Sequence, residues 1–201
     1  MHRPAETHYP VQESIRTRWS PRAFSEKPIA PEILQSLFEA ARWAPSSYNA
    51  QPWAFIVATR DDKEDFAKIL STLVEFNQQW AKGAAVLAIA VSRLNFEHNG
   101  KPNRNAFYDT GAAASQLTAE ATAHGLFVHQ MAGFDAKKAT EVLGIPAGWE
   151  PIAAIAIGYP GDPQLLPETL RGGEVAPRTR KPQTEFVMGG HCGKVASFLK
   201  K

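Results

Sequence analysis

The chain alternates between segments with helical spacing of apolar residues and short runs that are apolar throughout. Residues 31–44 carry apolar side chains at helical spacing and begin with a proline, which suits the first turn of a helix. Residues 61–76 repeat this spacing after two acidic residues, which suit the positive end of a helix. Residues 53–58, 84–91 and 151–158 are short apolar runs typical of buried strands. The pattern therefore predicts helices that pack against a sheet.

The second half of the chain adds a helix made largely of small residues. Residues 107–124 are small or apolar along most of their length, with Gly111 near the centre, and such a helix is expected to be buried on most sides. A strand over 126–131 and a helix that Asp135 caps and that runs to Leu143 follow. Continuously apolar strands favour a sheet covered on both faces. We therefore predict an α+β fold, with a central mixed β-sheet flanked by helices.

The periodic pattern ends after Gly158. Residues 160–182 contain five prolines and three glycines, which is more than an element of the core tolerates. Residues 185–187 then form a short extended segment. We expect a single domain over residues 1–201, in which residues 160–201 form a C-terminal extended arm that packs on a partner subunit.

Composition and charge exclude several classes of protein. A chain of 201 residues that is 44% hydrophobic and 21% charged is expected to be one globular domain. A net charge of +2, with arginines in two distant clusters, does not indicate nucleic-acid binding. The apolar runs are too short for a membrane span, and no targeting segment is visible. The single cysteine, Cys192, fits a reducing compartment, so we expect a cytoplasmic protein.

A polar loop joins the first predicted helix to the first predicted strand. Residues 42–55 read RWAPSSYNAQPWAF, and a stiff polar loop fixed to core elements at both ends is typical of a ligand-holding segment. The same hydroxyls also suit a helix C-terminal turn in which they satisfy local backbone groups, and the two roles are compatible. Residues 51–53 are expected to anchor the loop. The binding candidates are Pro45, Ser46, Ser47 and Asn49.

A basic cluster stands upstream of this loop. Residues 18–24 read RWSPRAF, and the forks of Arg18 and Arg22 together with the hydroxyl of Ser20 suit the oxygens of a phosphate. Ordinary solvated arginines at a helix end are the alternative. A second basic pair, Arg178 and Arg180, alternates on a segment expected to be extended, so that both side chains share a face. An exposed basic linker is the alternative there.

The two motifs together resemble the nitroreductase family of FMN enzymes. Members of that family carry Arg-x-Ser-x-Arg-x-Phe near the N-terminus and Ala-Pro-Ser-Ser-x-Asn-x-Gln-Pro-Trp further along. Both patterns are complete here, at residues 18–24 and 44–53. By motif positions the resemblance extends from about Ile15 to Val187.

The resemblance implies a cofactor site made of separate segments. Arg18, Trp19 and Ser20 are expected at the phosphate and ribityl end of FMN, and Arg22 near N1 and the C2 carbonyl of the ring. Arg178 and Arg180 would complete the phosphate site. Residues 45–49 would lie against the flavin that is held mainly by the other subunit.

Two further segments are candidates by resemblance. Asn77 is expected at the pyrimidine edge, where an amide both donates and accepts, and a helix C-cap is the alternative. Backbone groups of Met131 and Ala132 are expected near flavin N5, and Gly133 would leave room for the ring. Relatives carry an acidic residue at the position of Ala132, and a backbone role survives that change.

The implied activity is transfer of a hydride from NAD(P)H through flavin N5 to a nitroaromatic, a quinone or a similar conjugated acceptor, in a ping-pong cycle. The implied assembly is an intertwined homodimer with FMN at the subunit interface. No side chain needs to act as an acid or a base, so no catalytic residue is assigned. A non-catalytic FMN-binding carrier or sensor is the alternative. His191 and Cys192 have no further ligands at metal-site spacing, so no metal is expected.

Overall fold

The computed structural model describes residues 3–199, and the ends of the predicted domain and arm at residues 1, 2, 200 and 201 lie outside this range. Its centre is a four-stranded sheet in the order β1-β2-β4-β3. The strands are β1 (Trp53–Thr59), β2 (Val86–Arg93), β3 (Phe127–Met131) and β4 (Trp149–Gly158). All of them lie at or near positions predicted from the apolar runs.

Each strand pairing in the described residues is antiparallel. Ile56 pairs with Ile89 between β1 and β2, Ile89 pairs with Ala154 between β2 and β4, and Gln130 pairs with Ile155 between β3 and β4. The predicted mixed sheet would need a parallel pair, which residues 3–199 do not contain. Alternation of helices and strands predicts layers of helices on a sheet. It does not predict strand direction, which depends on whether each connecting helix brings the chain back to the same end of the sheet or to the opposite end.

Helices cover both faces of the sheet, as the continuously apolar strands predicted. Alternate residues of β2 face opposite cores. Leu87 lies in one core with residues of the helices at 63–72, 75–81 and 168–175, and Ala88 lies in the other with residues of the helices at 31–42 and 106–123. The α+β class is confirmed. The helices are α1 (Glu13–Thr17), α2 (Pro31–Arg42), α3 (Lys63–Thr72), α4 (Glu75–Ala81), α5 (Ala106–Ala123), α6 (Ala136–Val142) and α7 (Glu168–Val175).

The helix predicted over residues 61–76 is two helices, α3 and α4. The chain is extended at Leu73, which forms an isolated bridge with Phe134, and the N–H of Val74 donates to the carbonyl of Gly133 at 3.1 Å. Long-range pairing therefore replaces helical hydrogen bonds at this point. Asn77 consequently lies in the first turn of α4, and its interpretation as a helix C-cap is wrong.

The segment rich in prolines and glycines contains a core element that the sequence pattern did not predict. Helix α7 buries Leu170 and Glu174. Prolines break a helix only in its interior, and here Pro167 stands before the first turn and Pro177 after the last. Beyond α7, residues 176–199 contain two three-residue 3₁₀ helices and an isolated bridge between Met188 and Val195, and they are largely exposed.

Helix α5 is buried on one side only. Ala113, Leu117 and Ala121 pack in the core, whereas Tyr108 is 82% exposed and Phe107 is 47% exposed in this single chain. We expected helix α5 to be buried on most sides, and within one subunit it is buried on one side only. Among the described helices, none combines the length and apolar character that a membrane span requires.

Candidate functional site

A cavity of about 230 Å³ lies between the N-terminal segment and the residues that follow α7. It unites the two basic clusters that the sequence singled out at opposite ends of the chain. We call it the arginine pocket; its lining residues are Arg3, Arg18, Trp19, Ser20, Gly173, Ala176, Pro177, Arg178 and Arg180. A larger open groove of about 580 Å³ beside α2 has glutamates in its lining and contains none of the predicted site residues.

Arg178 holds a wall of the arginine pocket. Its guanidinium donates to the backbone carbonyls of Arg3, Arg16 and Arg18 at 2.6, 3.3 and 2.6 Å. These bonds tie the segment after α7 to both ends of the N-terminal region. Arg178 is therefore not an exposed linker residue, and its donors are largely used within the chain.

Arg3 supports the pocket from the N-terminal side, and nothing in the sequence pattern singled it out. Its guanidinium donates to the carbonyls of Glu174 and Ala176. The same group lies over the indole of Trp19, with the guanidinium carbon 4.7 Å from the ring centroid. Arg3 therefore joins the end of α7 to the predicted basic motif.

Arg18 and Arg180 keep most of their donors free. Nη1 of Arg18 donates to Oγ of Ser20 at 3.2 Å, and Nη1 of Arg180 donates to the carbonyl of its neighbour Thr179 at 2.7 Å. Within residues 3–199, the ion pairs leave every arginine of the pocket without a carboxylate partner. Two guanidinium groups are thus available for an anion.

The electrostatics of the pocket favour an anionic ligand. Burial and then the charge of Arg180 lower the pKa of Arg18. Burial, followed by the charges of Arg18, Arg180 and Arg3, lowers the pKa of Arg178. The indole Nε1 of Trp19 is buried without a hydrogen-bond partner among the described residues. Crowded cations and an unsatisfied donor both suit the oxygens of a phosphate.

Arg22 lies beyond the pocket, on the same loop as Arg18. Its guanidinium carbon is 5.9 Å from the ring centroid of Phe76 on α4, and its Nε is buried without a partner in the described chain. Its backbone N–H donates to the buried carboxylate of Glu174 at 3.0 Å from each oxygen. Arg22 is therefore held at its backbone, and its charge is not neutralised by an ion pair.

Asn77 is committed to contacts within the chain. Its Nδ2 donates to the carbonyl of Gly133 at 2.9 Å, and its Oδ1 accepts from Nε1 of Trp80 at 3.3 Å. The side chain is buried and connects α4 to the segment after β3. The structure thus brings the two candidate segments of the predicted ring site together.

Gly133 has a structural role that its sequence context did not reveal. A Cβ at this position would lie 2.5 Å from Nδ2 of Asn77 and 3.1 Å from Cγ2 of Val74. The absence of a side chain therefore makes room for Asn77. Of the two preceding residues, Met131 is buried and Ala132 is exposed.

The loop over residues 45–49 is anchored away from the arginine pocket. The N–H of Ser47 donates to Oδ2 of Asp109 on α5 at 3.0 Å, and the N–H of Gln51 donates to Oγ of Ser46 at 3.0 Å. The second bond is the local backbone role expected of these hydroxyls. Among residues 3–199, no hydrogen bond joins this loop to the pocket.

The same loop holds three residues other than glycine at positive φ. Tyr48, Asn49 and Gln51 have φ values of 54°, 52° and 44°, which cost energy for side chains with a Cβ. The exposed ring of Tyr48 lies 5.7 Å from the ring of Phe96 and 6.3 Å from that of His98. The polar loop over residues 94–103 is therefore in contact with the first candidate loop.

His129 on β3 supports the basic motif from within the core. Its ring lies 4.6 Å from that of Trp80, and its Nδ1 is 2.8 Å from the carbonyl of Pro21, to which it donates. Burial first, and the charges of Arg22 and Arg18 after it, lower the pKa of His129 to about 4. The imidazole is consequently neutral at pH 7.

Arg3, Asp109 and Glu174 are the site residues that the sequence analysis missed. Arg3 and Glu174 lie in irregular or proline-flanked segments, where periodicity carries no information. Asp109 stands in the first turn of a helix made mainly of small and apolar residues, and an acid among them is a signal that would have found it.

The protein has an α+β fold with a pocket lined by four arginines, whose guanidinium groups would suit an anionic ligand. The family model described as the nitroreductase family matches residues 15–159, which is most of the chain. The chain belongs to the nitroreductase family, which is a family of oxidoreductases.

Three similar proteins illustrate the relationship. An uncharacterized 15.4 kDa protein of Mycolicibacterium smegmatis is 31% identical over 148 residues, 69% of this chain and 97% of its own. A Stenotrophomonas maltophilia protein whose name includes NADH dehydrogenase and NAD(P)H nitroreductase is 28% identical over 175 residues, 78% of this chain and 87% of its own. A crystal structure described as an oxidoreductase containing FMN is 37% identical, with a TM-score of 0.88, and covers 94% of this chain and 96% of its own.

Proposed function

We propose that the protein is an FMN-dependent oxidoreductase that passes a hydride from NAD(P)H to a conjugated acceptor, such as a nitroaromatic or a quinone, in a ping-pong cycle. FMN supplies the hydride-accepting and hydride-donating chemistry that side chains lack. The observation that carries the proposal is the arginine pocket, in which free guanidinium donors have no carboxylate partner among the described residues. Membership of the nitroreductase family and the FMN of a similar crystal structure support it.

The donor set of the arginine pocket fits the phosphate of FMN. Arg18 and Arg180 have free donors, Ser20 adds a hydroxyl beside Arg18, and Trp19 adds the unpartnered indole N–H. A phosphate monoester offers three acceptor oxygens with a charge near −2 at neutral pH. Arg178 contributes by its hydrogen bonds to backbone carbonyls of the N-terminal segment, and not by free donors.

The ring end of the cofactor would be held by other elements. Arg22 supplies a positive charge that forms no ion pair within residues 3–199, and a fixed cation stabilises negative charge that develops on a bound group. The backbone of residues 131–133 would face the ring, and Asn77 would fix that backbone through the carbonyl of Gly133. The proposed contacts of Met131 and Ala132 are backbone contacts.

No side chain is assigned a proton-transfer role. His129 lies beside the basic motif, but burial keeps it neutral at pH 7 and its Nδ1 is bonded to a carbonyl. Solvent supplies protons in this proposal. The residues of this chain bind and orient the cofactor, and the proposal includes no catalytic residue.

The proposed assembly is a homodimer with FMN at the interface. Pro45, Ser46, Ser47 and Asn49 lie on a loop anchored to α5, away from the arginine pocket, so a second copy of the chain would supply them to the site. Exposed aromatic residues support this proposal, because large apolar side chains on a surface indicate an interface. They are Phe107 and Tyr108 on α5 and Phe186 and Phe198 on the arm.

A cytoplasmic location is part of the proposal. Cys192 is a free and exposed thiol, which a reducing compartment preserves. The acceptor is proposed only as a chemical class.

The test is the visible spectrum of the purified protein. A yellow preparation whose boiled supernatant contains FMN is expected. Anaerobic mixing with NADH or NADPH should then bleach the flavin band, and a quinone should restore it. A bound flavin that stays oxidised with both donors would indicate a carrier or sensor. A colourless protein that takes up no added FMN would contradict the proposal.

A further inference from the structure

A buried carboxylate lies at the junction between α7 and the basic motif. Glu174 is 1% exposed, and its two oxygens accept from the backbone N–H of Arg22, while Oε1 also accepts from the N–H of Ala23, all at 3.0 Å. Within residues 3–199, no ion pair involves this carboxylate. Burying a charge is costly, so its backbone bonds must offset a large desolvation penalty.

The same loop is held from the opposite side. The neutral ring of His129 donates to the carbonyl of Pro21 at 2.8 Å, and the N–H of Gly161 donates to the carbonyl of Ala23 at 2.9 Å. Successive peptide groups from Pro21 to Ala23 are thus bonded to three separate parts of the chain. The backbone at Arg22 consequently has little freedom to rotate.

The side chain of Arg22 depends on this backbone. Its guanidinium lies over Phe76 with the Nε buried and unpartnered, so no hydrogen bond or ion pair within the described residues keeps the charged group in place. Packing over the ring of Phe76 and burial of the Nε confine the side chain, and the fixed backbone sets the point from which it extends. A cation that is already oriented binds its ligand with a smaller loss of conformational entropy.

We propose that Glu174 is a positioning residue that orients Arg22 for binding of FMN. The inference rests on the proposed function, and it concerns a residue outside the matched family region, which ends at residue 159. Glu174 acts by fixing the peptide groups of Arg22 and Ala23. It thereby couples α7 to the cofactor site.

A double-mutant cycle separates positioning from a general role in folding. The variants are Glu174→Gln, Arg22→Ala and the two combined. Gln keeps the size of the side chain but removes its charge, and it replaces one of the two oxygens that accept from the N–H of Arg22 by a donor. Glu168→Gln, an exposed change in the first turn of the same helix, is the matched control. The readout is the fluorescence of FMN released on dilution of each holoprotein, with thermal unfolding measured in parallel.

We expect Glu174→Gln to weaken FMN binding about tenfold when Arg22 is present and at most about twofold in the Arg22→Ala background. Glu168→Gln should bind FMN like the original protein. Equal losses in the two backgrounds, or no loss on Glu174→Gln, would overturn the inference. An original protein that holds no FMN would instead refute the proposed function.

A second variant covers failure of Glu174→Gln to fold. Glu174→Asp keeps the charge and shortens the reach by one methylene. It should weaken FMN binding by a smaller factor, again only when Arg22 is present. A loss on Glu174→Asp that is independent of Arg22, or an unchanged affinity, would also overturn the inference.

Discussion

At the scale of single residues, the arginines of the pocket divide into two groups. The guanidinium groups of Arg3 and Arg178 donate hydrogen bonds to backbone carbonyls of the described chain. Those of Arg18 and Arg180 keep most of their N–H donors free there. All four side chains have the same charge and the same donors, so residue type alone does not distinguish them. The division follows from which carbonyls the folded chain places within reach.

This division predicts different outcomes for arginine-to-alanine changes. The double change Arg18→Ala with Arg180→Ala should release FMN and leave the fold intact, because it removes the free charge partners of the phosphate. Arg178→Ala should instead lower the free energy of unfolding by about 2 kcal/mol, because it removes three charge-assisted bonds to carbonyls. The FMN-to-protein ratio and thermal unfolding measure the two effects.

The exposed Arg104 provides the control for these variants. Arg104→Ala removes one positive charge outside the pocket and should change neither FMN content nor stability. Retention of stoichiometric FMN by the Arg18→Ala, Arg180→Ala protein would show that the phosphate assignment is wrong.

At the scale of elements, the break between α3 and α4 matters most for the site. The apolar spacing through residues 61–76 predicts one helix, and the structure has an extended pair of residues at positions 73 and 74. Strand-like bonds to residues 133 and 134 stabilise the break. The break allows Asn77 to reach the carbonyl of Gly133.

Gly133→Ala should disturb this junction. The added Cβ would lie 2.5 Å from Nδ2 of Asn77, so the amide must move and its bond to the carbonyl of residue 133 is strained or lost. We expect a loss of about 1–3 kcal/mol in the free energy of unfolding, together with weaker FMN binding. Denaturant unfolding and FMN titration measure these changes.

Gly172→Ala is the matched control, because a Cβ there meets nothing within 4 Å and the residue lies inside α7. This change should be neutral or stabilise the protein by up to about 1 kcal/mol, since alanine favours a helix. Equal stability of the two alanine variants would refute the role given to Gly133.

At the scale of the whole molecule, one chain leaves two features unexplained. Within residues 3–199, no hydrogen bond joins the loop over residues 45–49 to the arginine pocket, and the residues after α7 add little to the core of their own chain. Association of two copies accounts for both features in the proposed dimer. Phe186, which is 63% exposed, would then be buried against the partner subunit.

Removal of residues 183–201 tests the role of the arm. Arg178 and Arg180 remain in the shortened protein, so the phosphate donors are kept. We expect the truncated chain to be monomeric and to bind FMN more weakly, because the exposed aromatic residues of the arm no longer bury apolar surface on a partner. Sedimentation and FMN content report the two outcomes. A truncated protein that remains a flavin-loaded dimer would contradict the proposed role.

The sequence alone was sufficient for the layers of the fold and for the family. Apolar periodicity depends on local spacing, so it predicted the four strands and helices α2, α5 and α6 near their observed positions. The motifs at residues 18–24 and 44–53 identified the family, because each is a contiguous pattern. The first motif also indicated Arg18, Ser20 and Arg22 as candidate cofactor-binding residues.

Only the tertiary structure decided which contacts each of these residues makes, and therefore which structural role it has. Glu174, Arg3 and the pairing of Asn77 with Gly133 depend on contacts between segments far apart in the chain, and local spacing contains no information on such contacts. Strand direction is also a long-range property, and the predicted mixed sheet was replaced by antiparallel pairing in the described residues. A side chain's role is set by the partners that folding brings within hydrogen-bond distance.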